Sequence, residues 1–153
     1  MSIKAGESGA WKGRYTSKDR TFADKAIAAH ICRGCMAWYS GAKPSACPSC
    51  GRLDFESFQS QGEGKWWMKL LRRQEGGQIS GLERQHRIDL LTVNHRTGKP
   101  VAFATYVADF RWKDTATGEL VIAECKPGAA MTYESQLKIR CVEAMGIPIE
   151  MLT

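Results

Sequence analysis

A mixed α/β domain, one sheet flanked by helices with a small metal-bound ribbon ahead of it, is the fold class this sequence predicts. Three observations carry that expectation. Two Cys-x-x-Cys pairs, Cys32/Cys35 and Cys47/Cys50, stand with eleven residues between them. From Leu82 to Lys126 the chain alternates in three strand-like runs, broken at Thr97-Gly98 and at Thr115–Gly118. Helical segments bracket those runs, one after Ser60 and one after Thr132, each a good N-cap residue.

With 153 residues the chain suits one domain plus a small appendage. Its 43% hydrophobic and 25% charged content is that of a soluble globular protein. No apolar run approaches the ~20 residues that span a bilayer. The first residues lack the apolar core of a secretion signal, so the expected setting is intracellular, without a membrane partner. The net charge of +6 is unevenly placed: residues 1–52 hold nine Lys/Arg against three Asp/Glu, whereas 53–153 hold thirteen of each. That asymmetry suits a polyanion-binding front attached to a neutral body, although solubility alone also accounts for a modest positive charge.

Residues 1–30 read as a basic arm. Trp11 and Tyr15 are interleaved with Lys12, Arg14, Lys18 and Arg20, a pattern that grips phosphates and stacks on bases. A tail or a stretch packed on the body accounts for it at least as well. Thr21 to His30 has the composition of a short helix.

Residues 31–52 read as a zinc ribbon. Each two-residue gap lets both thiolates converge on one ion, and four thiolates complete a tetrahedral shell. Met36–Ser40 would carry its one hairpin. Two disulfides are disfavoured without a secretion signal, and neither pair opens a helix after a strand as a redox motif would. His30 is near enough to substitute as a ligand, but four cysteines leave no vacancy. A structural staple is the plainest role for such a ribbon, while Arg33, Lys43 and Arg52 around it would let it touch DNA phosphates. Cys125 and Cys141 read as small core residues.

Residues 53–153 form the body. Gly64 to Arg73 is an expected helix with an apolar stripe of Trp66, Trp67, Leu70 and Leu71, ending near Gly76-Gly77. Ser60 and Glu63 have the spacing of a capping box, in which Glu63 bonds back to the Ser60 amide; the same carboxylate could instead reach a metal site. Strands follow over Leu82–Val93 and Val101–Lys113. His86 and His95 read as surface or turn residues. Thr132 caps a helix expected to bury Leu137, Cys141, Val142 and Met145, Gly146 ends it, and Ile147–Leu152 makes a last strand.

The chemistry concentrates in the hairpin Tyr106–Lys126. A four-residue loop pairs Asp114 with Glu119, and counting back places Asp109 across from Glu124. Ala108, Phe110 and Trp112 then share an apolar face with Val121, Ala123 and Cys125, while Asp109, Glu124 and Lys126 fall on the other. Carboxylates directly opposite each other repel, an objection that a divalent cation between them removes. A solvated outer face is the plain alternative for three such charges.

Asp109 followed by Glu124-Cys125-Lys126 resembles the PD-(D/E)XK nuclease superfamily, with Ala108 where a proline often stands. Phe58-x-Ser60-x-x-Glu63, Tyr106-x-Ala-Asp109-Phe110 and Glu124-x-Lys126, in that order, look like a family of small phage proteins known only as a domain of unknown function. They also look like the phage junction-resolving endonuclease I enzymes. The similarity spans roughly residues 55–150 and leaves out the ribbon. It implies a PD-(D/E)XK-like mixed sheet, Mg²⁺ or Mn²⁺ held by Asp109, Glu124 and the Cys125 carbonyl, and Lys126 orienting or deprotonating the attacking water. Glu63 would bind a second ion or a metal-bound water, and Gln85 would give polar support. Lys138 would reach phosphate from the last helix; Arg140 is better explained as part of a solvated face. The implied activity is a Mg²⁺-dependent endonuclease on branched or structured DNA in a bacterial cytoplasm, with a homodimer suited to two-fold symmetric junctions. The alternatives are a non-catalytic zinc-ribbon DNA-binding protein and a nuclease indifferent to DNA structure.

Overall fold

The computed structural model describes residues 27–125 and 131–153. The expectations for Trp11, Lys12, Arg14, Tyr15, Lys18, Arg20 and Lys126 lie outside these residues. Along the chain run β1 (Ala29–Cys32), β2 (Trp38–Ser40), β3 (Phe55–Phe58), α1 (Gln61–Glu75), β4 (Ile79–Val93), β5 (Pro100–Asp114), β6 (Leu120–Cys125), α2 (Tyr133–Ala144) and β7 (Ile149–Leu152). They make a three-stranded sheet, β2-β1-β3, and a four-stranded sheet, β4-β5-β6-β7. In the larger sheet only the β6–β7 pair is parallel.

The small sheet corrects three boundaries. Ala29 and His30, expected to end a helix, begin β1 instead, and residues 21–26 lie outside the described part. β1 is the central strand, pairing with β2 on one side and β3 on the other, so its backbone groups are committed to a sheet. The small sheet therefore spans Ala29 to Phe58, reaching beyond the expected ribbon at both ends, with Phe55–Phe58 paired to β1. This ribbon lies on α1: Ala29, Ile31 and Phe58 pack with Trp38, Trp67 and Met68. Gly64 makes that approach close, since a Cβ there would sit 2.8 Å from the Trp38 ring.

The two long hairpins of the larger sheet turn in the same way. Asn94 Oδ1 accepts from the Arg96 and Thr97 amides, Asp114 Oδ1 accepts from those of Ala116 and Thr117, and Gly98 and Gly118 follow at φ 68° and 75°. A short acidic or amide side chain closing its own turn, with glycine for the left-handed position, fixes the register of both hairpins. The Asp114 amide bonds to the Glu119 carbonyl, and Phe110 pairs with Ala123, as the four-residue loop requires.

Successive β6 residues serve opposite faces. Ala123 and Cys125 pack with Leu70, Ile79, Phe110, Trp112 and Leu152 under α1, whereas Ile122 packs with Ile88, Leu90, Tyr106, Ala108, Ile139 and Val142 under α2. The even-numbered residues of β5 change allegiance between Ala108 and Phe110. The register β4–β5 sets Gln85 across from Asp109 at that point, and Gln85 has φ +53°, a left-handed residue inside a strand that breaks the two-residue alternation. Ala108 is therefore not on one face with Phe110 and Trp112, as strict alternation predicted.

α2 buries the expected Val142 and part of Cys141, but Ile139 takes the place expected for Leu137 and Met145. Ile139 and Val142 face the sheet, Cys141 is half-buried, and Leu137 is 49% exposed with Met145 also at the surface. Helix spacing allows either set; packing against Ile88, Leu90, Tyr106 and Ile122 takes up Ile139 and Val142.

Candidate functional site

The described residues present two centres, one of sulfur and one of oxygen. The ligand atoms of Cys32, Cys35, Cys47 and Cys50 all lie within 4.8 Å of one another. Cys32 Sγ is 3.5 Å from Cys50 Sγ, and Cys35 Sγ is 3.5 Å from Cys47 Sγ. A disulfide needs about 2.05 Å, whereas four sulfurs about 2.3 Å from one zinc stand a little under 4 Å apart. The four cysteines are thus free thiols close enough together to bind zinc. The Tyr39 hydroxyl, 3.3 Å from Cys47 Sγ, and the nearby backbone amides of Cys50 and Ser49 pull the Cys47 thiol down to about 6 against the effect of burial. The shared protons leave Cys35 and Cys50 correspondingly harder to ionise, with Cys35, against the pull of the Ala37 amide, pushed up to about 12 by burial and its sulfur neighbours, as expected of four thiols crowded together.

His30 takes no part in that cluster. Its Nε2 lies 3.0 Å from the Gly41 carbonyl, so Nε2 carries a proton, and Nδ1 lies 2.9 Å from Ser57 Oγ. The ring links the turn after β2 to β3, which explains a buried histidine beside a metal site that needs no fifth ligand.

The oxygen centre sits where the β5–β6 ladder ends. Asp109 Oδ2 accepts from the Cys125 amide at 2.8 Å, and Glu124 Oε2 accepts from the Tyr106 hydroxyl at 2.7 Å. Glu124 is only 4% exposed, so the face predicted to be a charged outer one is covered at this end by Tyr106 and β7. Burial, then the bond to Glu124, holds the Tyr106 hydroxyl above its ordinary range, which keeps it a neutral donor. The change of allegiance along β5 sets Tyr106 on the face of β6 that carries Ile122 and Glu124.

Glu63, 6% exposed, is held elsewhere. Its Oε1 is 3.3 Å from Arg84 Nη2, and its Oε2 accepts from the Gln59 amide at 3.3 Å, one residue before the Ser60 amide that a capping box would use. Ser60 does cap α1, accepting from the Glu63 amide at 3.2 Å. Arg84 also pairs with Glu56, donates to the Ser57 carbonyl at 3.0 Å and lies 4.0 Å over the Phe58 ring. Among the described residues the four cysteines are the one group of three or more His, Cys, Asp and Glu with ligand atoms mutually within 4.8 Å, and Glu63 is not drawn to that distance from Asp109 and Glu124.

Of the expected nucleic-acid contacts, Arg33 is bound by Glu56 and Asp54, and Lys138 by Glu134 at 2.8 Å one helical turn away. Lys43 is exposed with its Nζ 5.7 Å from the Phe55 ring, and Gln85 is exposed opposite Asp109. His95 lies in the exposed β4–β5 turn, while His86 is half-buried with Nδ1 3.3 Å from Glu83.

A family model described as a protein of unknown function (DUF1064) matches residues 52–145, most of the chain beyond Cys50, the last residue of the four-cysteine cluster. The chain belongs to the DUF1064 family. The matched span agrees with the similarity expected over roughly 55–150, so the DUF1064 region holds α1, both carboxylate strands and α2, and the cysteine cluster precedes it. No curated protein and no solved structure matches the chain. No helix among the described residues is long and apolar enough to cross a membrane.

Sequence reasoning missed Tyr106 and Arg84 as partners of the acidic residues. Tyr106 shares the parity of Ala108, Phe110 and Trp112 and looks like one more apolar position. Arg84 looks like any cation on a half-exposed strand. A cation flanked by acids at Glu56 and Glu63 was the available signal, but it points to Arg84 only once β3 is known to pack beside β4.

Proposed function

We propose that this chain is a Mg²⁺- or Mn²⁺-dependent DNA endonuclease of the PD-(D/E)XK kind, acting on branched or structured DNA, with a structural zinc held by its four cysteines. One observation supports it most. Two carboxylates from neighbouring strands, Asp109 and Glu124, are each aimed by an uncharged donor at the same end of the β5–β6 ladder. Both are hard oxygen donors, the kind that magnesium prefers, and the backbone carbonyl of Cys125 supplies a third. Asp109, Glu124 and that carbonyl would hold the ion, whose chemistry would be Lewis-acid polarisation of the phosphate and of an attacking water. Asp109 and Glu124 hold the position, Tyr106 fixes the carboxylate of Glu124, and Lys126, two residues on in sequence, receives the water's proton or offsets phosphate charge. Glu63, engaged by Arg84, holds the helix and ribbon together. The preference for branched DNA rests on the endonuclease I resemblance, as does a homodimer facing a two-fold junction.

The test uses supercoiled plasmid and a four-way junction, with magnesium present or omitted. Omission is preferable to chelation, because a chelator would also strip thiolate-bound zinc. Junction cutting that needs magnesium and falls about a hundredfold or more in Asp109→Asn and Glu124→Gln is the expected result, corresponding to a few kcal/mol of lost charge stabilisation. Binding with no cutting under any divalent ion would favour a DNA-binding protein instead. Equal rates on junction and plain duplex would remove the structural preference.

A further inference from the structure

A cleft of about 600 Å³ opens between the ribbon and α1, lined by Trp38, Lys65, Trp66, Lys69, Arg72 and Cys125 among others. Lys65, Lys69 and Arg72 recur at helix spacing on one face of α1, covering about 10 Å of helix axis. None of them makes an ion pair among the described residues, in contrast to Arg33, Arg73, Arg84 and Lys138, which do. Two indoles lie among these cations. Trp38 comes from the ribbon and is set against α1 by Gly64, and Trp66 comes from α1 itself with Lys69 Nζ 4.2 Å from its ring centre.

We propose that this cleft binds an unpaired stretch of nucleic acid, its phosphates on Lys65, Lys69 and Arg72 and a base stacked on the cleft's tryptophans. The proposal rests on the nuclease reading of the neighbouring carboxylates. Unpaired bases expose a π-face that aromatic side chains stack on, whereas in duplex that face is hidden, so interleaved tryptophan and lysine select single strand. The cleft reaches Cys125, whose amide holds Asp109. A strand lying in it would run toward the backbone amide that holds Asp109, which would give branched DNA that carries unpaired nucleotides, such as a flap, a physical reason to be preferred. The ribbon's part is to supply Trp38 as one wall.

The experiment is fluorescence anisotropy with a labelled thymidine oligonucleotide of roughly 12 nucleotides, inside the usual single-strand site sizes, against a duplex of equal length, with no magnesium added. Wild type is expected to bind the single strand more tightly than the duplex, with quenching of tryptophan emission. Lys65→Gln/Lys69→Gln, at exposed positions, should weaken single-strand binding about fivefold and lower the salt slope by about 1.4, at about 0.7 per lost phosphate contact. Trp66→Phe should reduce the quenching, and Trp66→Ala should weaken binding about tenfold. Because Trp66 also touches the core, the lysine pair is the deciding variant if the alanine substitution prevents folding. Unchanged affinity and slope in the lysine pair, or equal affinity for duplex and single strand, would overturn the cleft assignment whether or not the protein cuts DNA. Selective single-strand binding lost in these variants, alongside no cleavage with magnesium, would retain the cleft and discard the nuclease.

Discussion

Tyr106 Oη and Glu124 Oε2, 2.7 Å apart and both buried, make the contact on which the oxygen centre is built. A hydrogen bond to a charged acceptor contributes about 1.5–3 kcal/mol, so Tyr106→Phe should lose about that much in urea unfolding. If Tyr106 aims Glu124 at a metal, the same variant should also need more magnesium for half-maximal cutting, a change that a merely structural role would leave untouched. Asp114 offers a check by pH. Its carboxylate is held below the usual range first by the Thr117 amide, then by the Ala116 amide, with Arg73 at 4.0 Å adding to it. A folded-state pKa below the unfolded value gives stability that is present above the unfolded value, about 3.9, and lost as pH falls through the lower folded one. The Tm advantage of wild type over Asp114→Asn should therefore be largest near neutrality and shrink below about pH 4.

Among the elements, the ribbon and the helix it lies on depend on one arginine. Arg84 of β4 reaches Glu56 and Ser57 of β3 and Glu63 of α1, with its guanidinium over Phe58. Arg84→Met preserves much of the stacking area but leaves Glu63 without its cation and Glu56 with Arg33 alone. The expected cost is about 3 kcal/mol, the lower end for a broken buried pair because the side chains are still 17% and 18% exposed. Equilibrium unfolding followed by tryptophan emission and by far-UV signal should show both shifting together. Unchanged stability would mean that the ribbon is held by Trp38, Met68 and Phe58 alone. α2 shows the limit of helix periodicity: Leu137 and Ile139 are equally apolar, yet only Ile139 meets the sheet. What an isolated helix cannot encode is the direction from which its partner approaches.

For the molecule as a whole, zinc removal is the decisive perturbation. A ribbon this small, below the roughly 40 residues at which a core sustains itself, needs metal or packing to hold its shape. One zinc per chain, released to a chromophoric chelator, should accompany a fall in Tm, and Cys32→Ser should behave as the stripped protein does. An unaltered Tm would show that packing on α1 suffices. The sequence by itself determined the four-thiol cluster, the two long hairpins, the register of the second, and the caps of both helices, because each is set by residues close together in the chain: Cys-x-x-Cys gaps, Asx-x-x-Thr-Gly turns, Ser60 and Thr132. Only the tertiary structure decided that β3 completes the ribbon, that Arg84 takes Glu63, that Ile139 joins Val142 in the buried stripe of α2, and that Glu124 lies beneath Tyr106. Those outcomes depend on which elements pack together and on one left-handed residue, Gln85, that reverses the faces of a strand. No pattern of alternation announces such a residue, since glutamine adopts that conformation only when the surrounding sheet holds it there.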